Sequence, residues 1–213
     1  MKYVKMLGLA AVAAMALMAF VGVGTASATG GVLCENTTEP CNSKWAVNSH
    51  MSFHLKAGTS AKLSTTGGTE LKTCTSSTVT GKVETAGSST EKARGTVEAK
   101  NLTWGGCNGA LPVTVTPGKL TATGLGGGKG TIYADGFSVR VEILGVECHY
   151  TAGTTLDLGT FTPGASDLDG ILAINTVVSR DEEHVNEFLC PASARWQGEY
   201  TQTGSTPLAI TKS

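Results

Sequence analysis

Ser193-Ala194-Arg195-Trp196-Gln197-Gly198-Glu199-Tyr200-Thr201 divides into two alternating sets. Ala194, Trp196, Gly198 and Tyr200 fall on one face of an extended chain, and Ser193, Arg195, Gln197, Glu199 and Thr201 fall on the other. A period of two with one apolar face specifies a strand that buries that face. Trp196 and Tyr200 are therefore expected in a core, with the polar set in water. Moving outward, Met51, Phe53 and Leu55 alternate with Ser52, His54 and Lys56 in the same way. Further strand-like runs cover 61–63, 78–85, 96–104, 113–115, 119–123, 130–134, 137–144, 146–151, 155–158, 171–178 and 208–211. They are separated by chain-reversing segments such as Thr66-Gly67-Gly68, Pro117-Gly118 and Thr203-Gly204-Ser205. Asp135-Gly136 suits a two-residue hairpin, whose preferred turn needs positive φ at both central residues. The expected fold is all-β: a disulfide-linked antiparallel β-sandwich, immunoglobulin-like or jelly-roll-like, of roughly ten to twelve strands. At most one short helix is expected. Ser179-Arg180-Asp181-Glu182 has the spacing of a capping box, and Val185, Phe188 and Leu189 follow at helical intervals before Cys190-Pro191.

The amino-terminal residues carry a targeting pattern. Met1-Lys2-Tyr3-Val4-Lys5 is basic, Met6 to Val23 is apolar apart from Gly8 and Gly22, and Ala26-Ser27-Ala28 supplies small residues for a signal peptidase. This predicts a signal peptide over 1–28 and one β-sandwich domain over 29–213. An uncleaved anchor is the weaker reading, since the Ala- and Gly-rich run ends in a cleavage site. A secreted, extracellular protein follows, with no stable membrane insertion after cleavage. The chain has 16 basic and 17 acidic residues; loss of Lys2 and Lys5 leaves 14 − 17 = −3. That balance gives no electrostatic attraction for nucleic acid.

Export makes the six cysteines legible, because an even count in an oxidising compartment reads as disulfides. Six cysteines allow fifteen pairings, and the sequence alone does not choose among them. The expected scheme joins neighbours: Cys34 with Cys41, Cys74 with Cys107, and Cys148 with Cys190. Zinc is disfavoured, since no CxxC spacing occurs and metal-site cysteines usually come in close pairs.

Four segments also carry a resemblance: Leu71-Lys72-Thr73-Cys74-Thr75-Ser76-Ser77-Thr78-Val79, Thr103-Trp104-Gly105-Gly106-Cys107, Glu147-Cys148-His149-Tyr150 and Phe188-Leu189-Cys190-Pro191-Ala192-Ser193-Ala194-Arg195-Trp196. Together they resemble a group of uncharacterised secreted all-β proteins of soil actinobacteria, over roughly residues 50 to 210. The resemblance implies a bacterial, exported β-rich domain and brings no activity with it.

Motifs that invite chemistry fail on spacing. Gly124-Leu125-Gly126-Gly127-Gly128-Lys129-Gly130 resembles a phosphate loop, yet Gly130 stands where a Ser or Thr should hold magnesium, so a hairpin loop is the better reading. Asp167-Leu168-Asp169-Gly170 matches half of a calcium loop, and the position of its final Glu is occupied by Val178. His50, His54, His149 and His184 show no Ser or carboxylate in a triad order, and the acidic run Asp181, Glu182, Glu183 and Glu187 reads as a solvated face. No catalytic, cofactor or metal residue is assigned. Of the three tryptophans, Trp104 and Trp196 read as core, whereas Trp45 stands in an irregular segment and is the candidate ligand-binding aromatic. The expected function is an exported non-enzymatic module of the cell envelope or surroundings, with a glycan or envelope protein as candidate partner. A carbohydrate- or protein-binding module and a secreted hydrolase are the alternatives.

Overall fold

The structure is a computed structural model, and it describes residues 30–108, 114–116, 118–143, 145–152, 155–164, 169–181 and 189–212. The expected signal peptide, residues 182–188 of the expected helical stretch, His184 among them, and Asp167 and Leu168 of the calcium-like turn lie outside these residues, while Ser179 and Arg180, the expected start of that helix, belong to a strand instead. Among the described residues there are fourteen strands and no helix. In chain order they are β1 (Val32–Cys34), β2 (His50–Leu55), β3 (Ala61–Thr65), β4 (Glu70–Thr85), β5 (Ala93–Cys107), β6 (Thr114–Thr116) and β7 (Lys119–Gly126). There follow β8 (Lys129–Asp135), β9 (Phe137–Ile143), β10 (Val146–Ala152), β11 (Leu156–Thr162), β12 (Ile171–Arg180), β13 (Ser193–Thr203) and β14 (Ala209–Thr211).

The strands close into an eight-position barrel, which corrects the sandwich expectation. The ring runs β4-β5-β7-β8-β11-β12-β13, and the gap between β13 and β4 is filled by β2 and β3 together. β13 pairs with β3 through Ala194–Gln197 and with β2 through Tyr200–Thr203. β4 pairs with the same two strands through residues 70–74 and 78–82. Two separate sheets would leave free edges at these strands. Here the edges meet, so the sheet curls on itself and one face becomes the interior. A branch leaves the ring where Ser179 and Arg180 of β12 pair with β10, continuing to β9 and β6.

β13 follows its sequence pattern closely. Ala194, Trp196 and Tyr200 are buried, and Gln197 and Glu199 are exposed. Trp196 stacks on Phe137 at 5.4 Å and 8° and meets Trp104 at 5.5 Å, giving the barrel an aromatic middle. One long disulfide staples two wall strands and the other ties the branch to the wall. Cys74 and Cys107 stand directly opposite on β4 and β5, and Cys148 of β10 joins Cys190 just ahead of β13. Cys34 closes a short loop with Cys41, so all three pairs join sequence neighbours. Three disulfides suit an oxidising compartment. Among the described residues no helix is long and apolar enough to cross a membrane.

One end of the barrel is stoppered by a separate antiparallel ribbon of β1 and β14, in which every residue is buried. The Gly-rich segment makes room for it. A Cβ on Gly124 would lie 2.3 Å from the Thr211 carbonyl oxygen, and one on Gly130 would lie 2.6 Å from Ile210 Cγ2. Any larger residue at either position would push β14 off the wall. The segment is thus a hairpin between β7 and β8, as its spacing predicts, and also the seat of the carboxy-terminal strand.

Candidate functional site

A barrel interior is the first place to look for a ligand, and this one is filled. One interior void, lined by Phe53, Val79, Phe161, Leu172 and the stopper residues Leu33, Leu208 and Ile210, has a volume of ≈ 70 Å³. Two further apolar voids around Trp196 measure ≈ 30 and ≈ 10 Å³. For comparison, an engineered apolar cavity of about 150 Å³ binds benzene. Each of these voids is well below that size, and the interior around them acts as packed core.

A roomier cavity lies on the outer face, a polar groove of ≈ 230 Å³ over β3, the start of β4 and the start of β13. Strand register builds it. Gln197 stands opposite Lys62, and Arg195 opposite Ser64. Directly opposed side chains lie about 5 Å apart and alternate ones along a strand about 7 Å apart, so these four form one rectangular patch. A register shift between Leu63 and Ser64 tucks the Ser64 residue into the wall at 8% exposure. Bulges re-aim side chains in this way beside binding surfaces.

The groove's ends are fixed. Gly68, with φ +92°, turns the β3–β4 hairpin, and the Thr69 amide donates to Thr65 Oγ1 at 3.0 Å. Glu70 faces Ser64 across the register. Its Oε1 accepts from Asn108 Nδ2 at 3.2 Å, while Asn108 Oδ1 accepts from the Thr73 amide at 2.8 Å. Arg195 Nη1 donates to the neutral Asn175 side chain at 3.1 Å. Neither Arg195 nor Lys62 has a carboxylate partner among the described residues, whereas the neighbouring Lys56 is paired with Glu199 at 2.8 Å.

The residues singled out by sequence are dispersed. Trp45 corrects its expectation: it is 7% exposed, and its Nε1 donates to the Pro207 carbonyl at 2.8 Å beside the stopper ribbon. Its flanks lack periodicity, so no local signal showed that a segment near the far end of the chain would cover it. His50 and His54 stand on β2, three strands away from His149 on β10, with β13 and β12 between them. Three strand spacings amount to about 14 Å, so these histidines do not share a site. His149 Nε2 lies 3.8 Å from Glu147, which is bound in turn by Arg140. Among the described residues no group of three or more His, Cys, Asp and Glu side chains is placed to hold a metal ion. Sequence alternation did put Arg195 and Gln197 on the solvent side of β13. It gave no hint that Lys62 and Glu70, far away in the chain, would complete the groove. No known family model matches the chain, and no curated protein or solved structure is significantly similar to it.

Proposed function

We propose that the protein is an exported, non-enzymatic binding module: a stapled barrel whose interior gives rigidity and whose outer groove receives a polar ligand. The observation that carries this reading is the contrast between apolar interior voids of ≈ 70, ≈ 30 and ≈ 10 Å³ and an outer polar groove of ≈ 230 Å³. Strand-borne side chains hold their positions better than loop-borne ones, which favours binding without induced fit. The exported, bacterial setting expected from the leader and from the resemblance is part of the same reading, and a cell-envelope or extracellular glycan is the partner class it favours.

The reading is tested with a panel of soluble and insoluble envelope polysaccharides, using the mature chain and its Gln197→Trp variant. Gln197 is exposed, so the indole fills the groove without entering the core. Retention of the parent protein and loss of retention in the variant, at an unchanged melting temperature, is the expected result. Equal retention of both proteins, no retention of either, or release of reducing sugar from a bound polysaccharide each overturn it.

A further inference from the structure

We infer that the groove selects a saccharide bearing a carboxylate, a uronic acid unit within a chain, with the carboxylate held between Arg195 and Lys62. This inference rests on the binding role just proposed and adds the chemical class of the ligand. The two cations are its first support. Their side chains leave diagonal corners of the four-residue patch formed with Ser64 and Gln197, and neither is neutralised by an acid among the described residues. Arg195 spends one donor on Asn175 and keeps the rest of its planar fork, a geometry suited to two parallel bonds with a carboxylate. The contrast with Lys56, paired to Glu199 only a short way along the same face, marks the groove cations as available.

The remaining lining is suited to hydroxyl groups. Gln197 offers a donor and an acceptor on one side chain, and Glu70, oriented by Asn108, offers an acceptor at the hairpin end. A wholly anionic ligand would be repelled by Glu70. One with a single charge per unit and hydroxyls around it satisfies both ends.

An acidic peptide is the competing occupant, and the strand pairing disfavours it. Extended peptides gain affinity by adding to a free strand edge. β3, at the centre of the groove, is already paired with β13 on one side and β4 on the other. The three apolar interior voids share no lining residue with the groove, so none of them offers a peptide side chain a pocket there. The volume is below the roughly 300–1,000 Å³ of closed small-molecule pockets, which fits one sugar unit of a chain running along the surface.

The test is calorimetric titration of the mature, disulfide-intact protein with three probes: tri-galacturonate, its fully methyl-esterified form, and tri-glutamate. Tri-galacturonate should bind at least tenfold more tightly than the ester, and raising salt should weaken it, because the site is exposed. Lys62→Gln and Arg195→Gln should each reduce its affinity about tenfold or more, the usual consequence of losing a hydrogen bond to a charged group. Lys129→Gln, on the distant β7–β8 hairpin, should leave it unchanged, and melting temperatures identify any variant that fails through misfolding. If acid and ester bind equally and Gln197→Trp abolishes both, the carboxylate assignment falls while the binding role stands. If tri-glutamate binds as well as tri-galacturonate, the saccharide assignment falls. If no probe binds while the polysaccharide panel still retains the protein through the groove, the uronate assignment alone falls; silence in both experiments removes the binding role too.

Discussion

Trp196 shows what a single side chain carries here. It is 3% exposed, stacks on Phe137 and lines both smaller interior voids. Trp196→Ala should lower stability by about 3–5 kcal/mol, read from the midpoint of urea denaturation. A loss below about 0.5 kcal/mol would mean that the ring lies outside the core. Tyr150 and Tyr200 add a pH dependence. Burial pushes both hydroxyls from 10.0 up to about 12, opposed at Tyr150 by the Arg180 charge and at Tyr200 by its hydrogen bond with Ser77. The folded state keeps these protons while the unfolded chain releases them above pH 10. Their contribution is therefore complete below pH 10 and declines as the pH rises towards 12, by at most about 2–3 kcal/mol each. Denaturation midpoints between pH 9 and 12 should fall steeply in the parent and less steeply in Tyr150→Phe. At this scale the sequence was readable wherever period two held. Trp196 and Tyr200 sit where alternation put them, while Trp45 escaped because the chain that buries it is remote.

Elements were easier to anticipate than their neighbours. The runs over 51–55, 119–123 and 171–178 are strands because alternation reports which face is apolar. It does not report which strand lies alongside. The decision between sandwich and barrel is made by β2 and β3 sharing the gap between β13 and β4, a non-local pairing that leaves no local trace. Cysteine positions recovered part of what periodicity could not. Cys148–Cys190 ties the branch strand β10 to the start of β13, across a loop of 42 residues. In the chain-entropy picture a loop of this length contributes roughly 4 kcal/mol. Cys148→Ser combined with Cys190→Ser should lose most of that while retaining the β spectrum, since the ring itself does not pass through β10. Calorimetric melting together with far-UV circular dichroism checks both parts. Loss of the β signal would show that the branch is needed to form the ring.

At the scale of the whole molecule the barrel depends on its stopper. Leu208 and Ile210 line the ≈ 70 Å³ interior void from the β14 side, and Leu33 does so from β1. A chain ending at Pro207 should expose this apolar lining, raise the fluorescence of a hydrophobic dye and melt earlier than the parent. Unchanged dye binding would show that the wall closes without β14. The ribbon geometry also has a mechanical consequence. Val32 pairs with Thr211 and Cys34 with Ala209, so residues 31 and 212 leave the ribbon at the same end. A tether pulling on those two points loads the Val32–Thr211 rung first and the others in succession, as a zipper opens, instead of shearing all rungs together. The barrel that three disulfides guard against heat would then yield to modest tension at its stopper, and an optical trap should record a small, early extension before the ring resists.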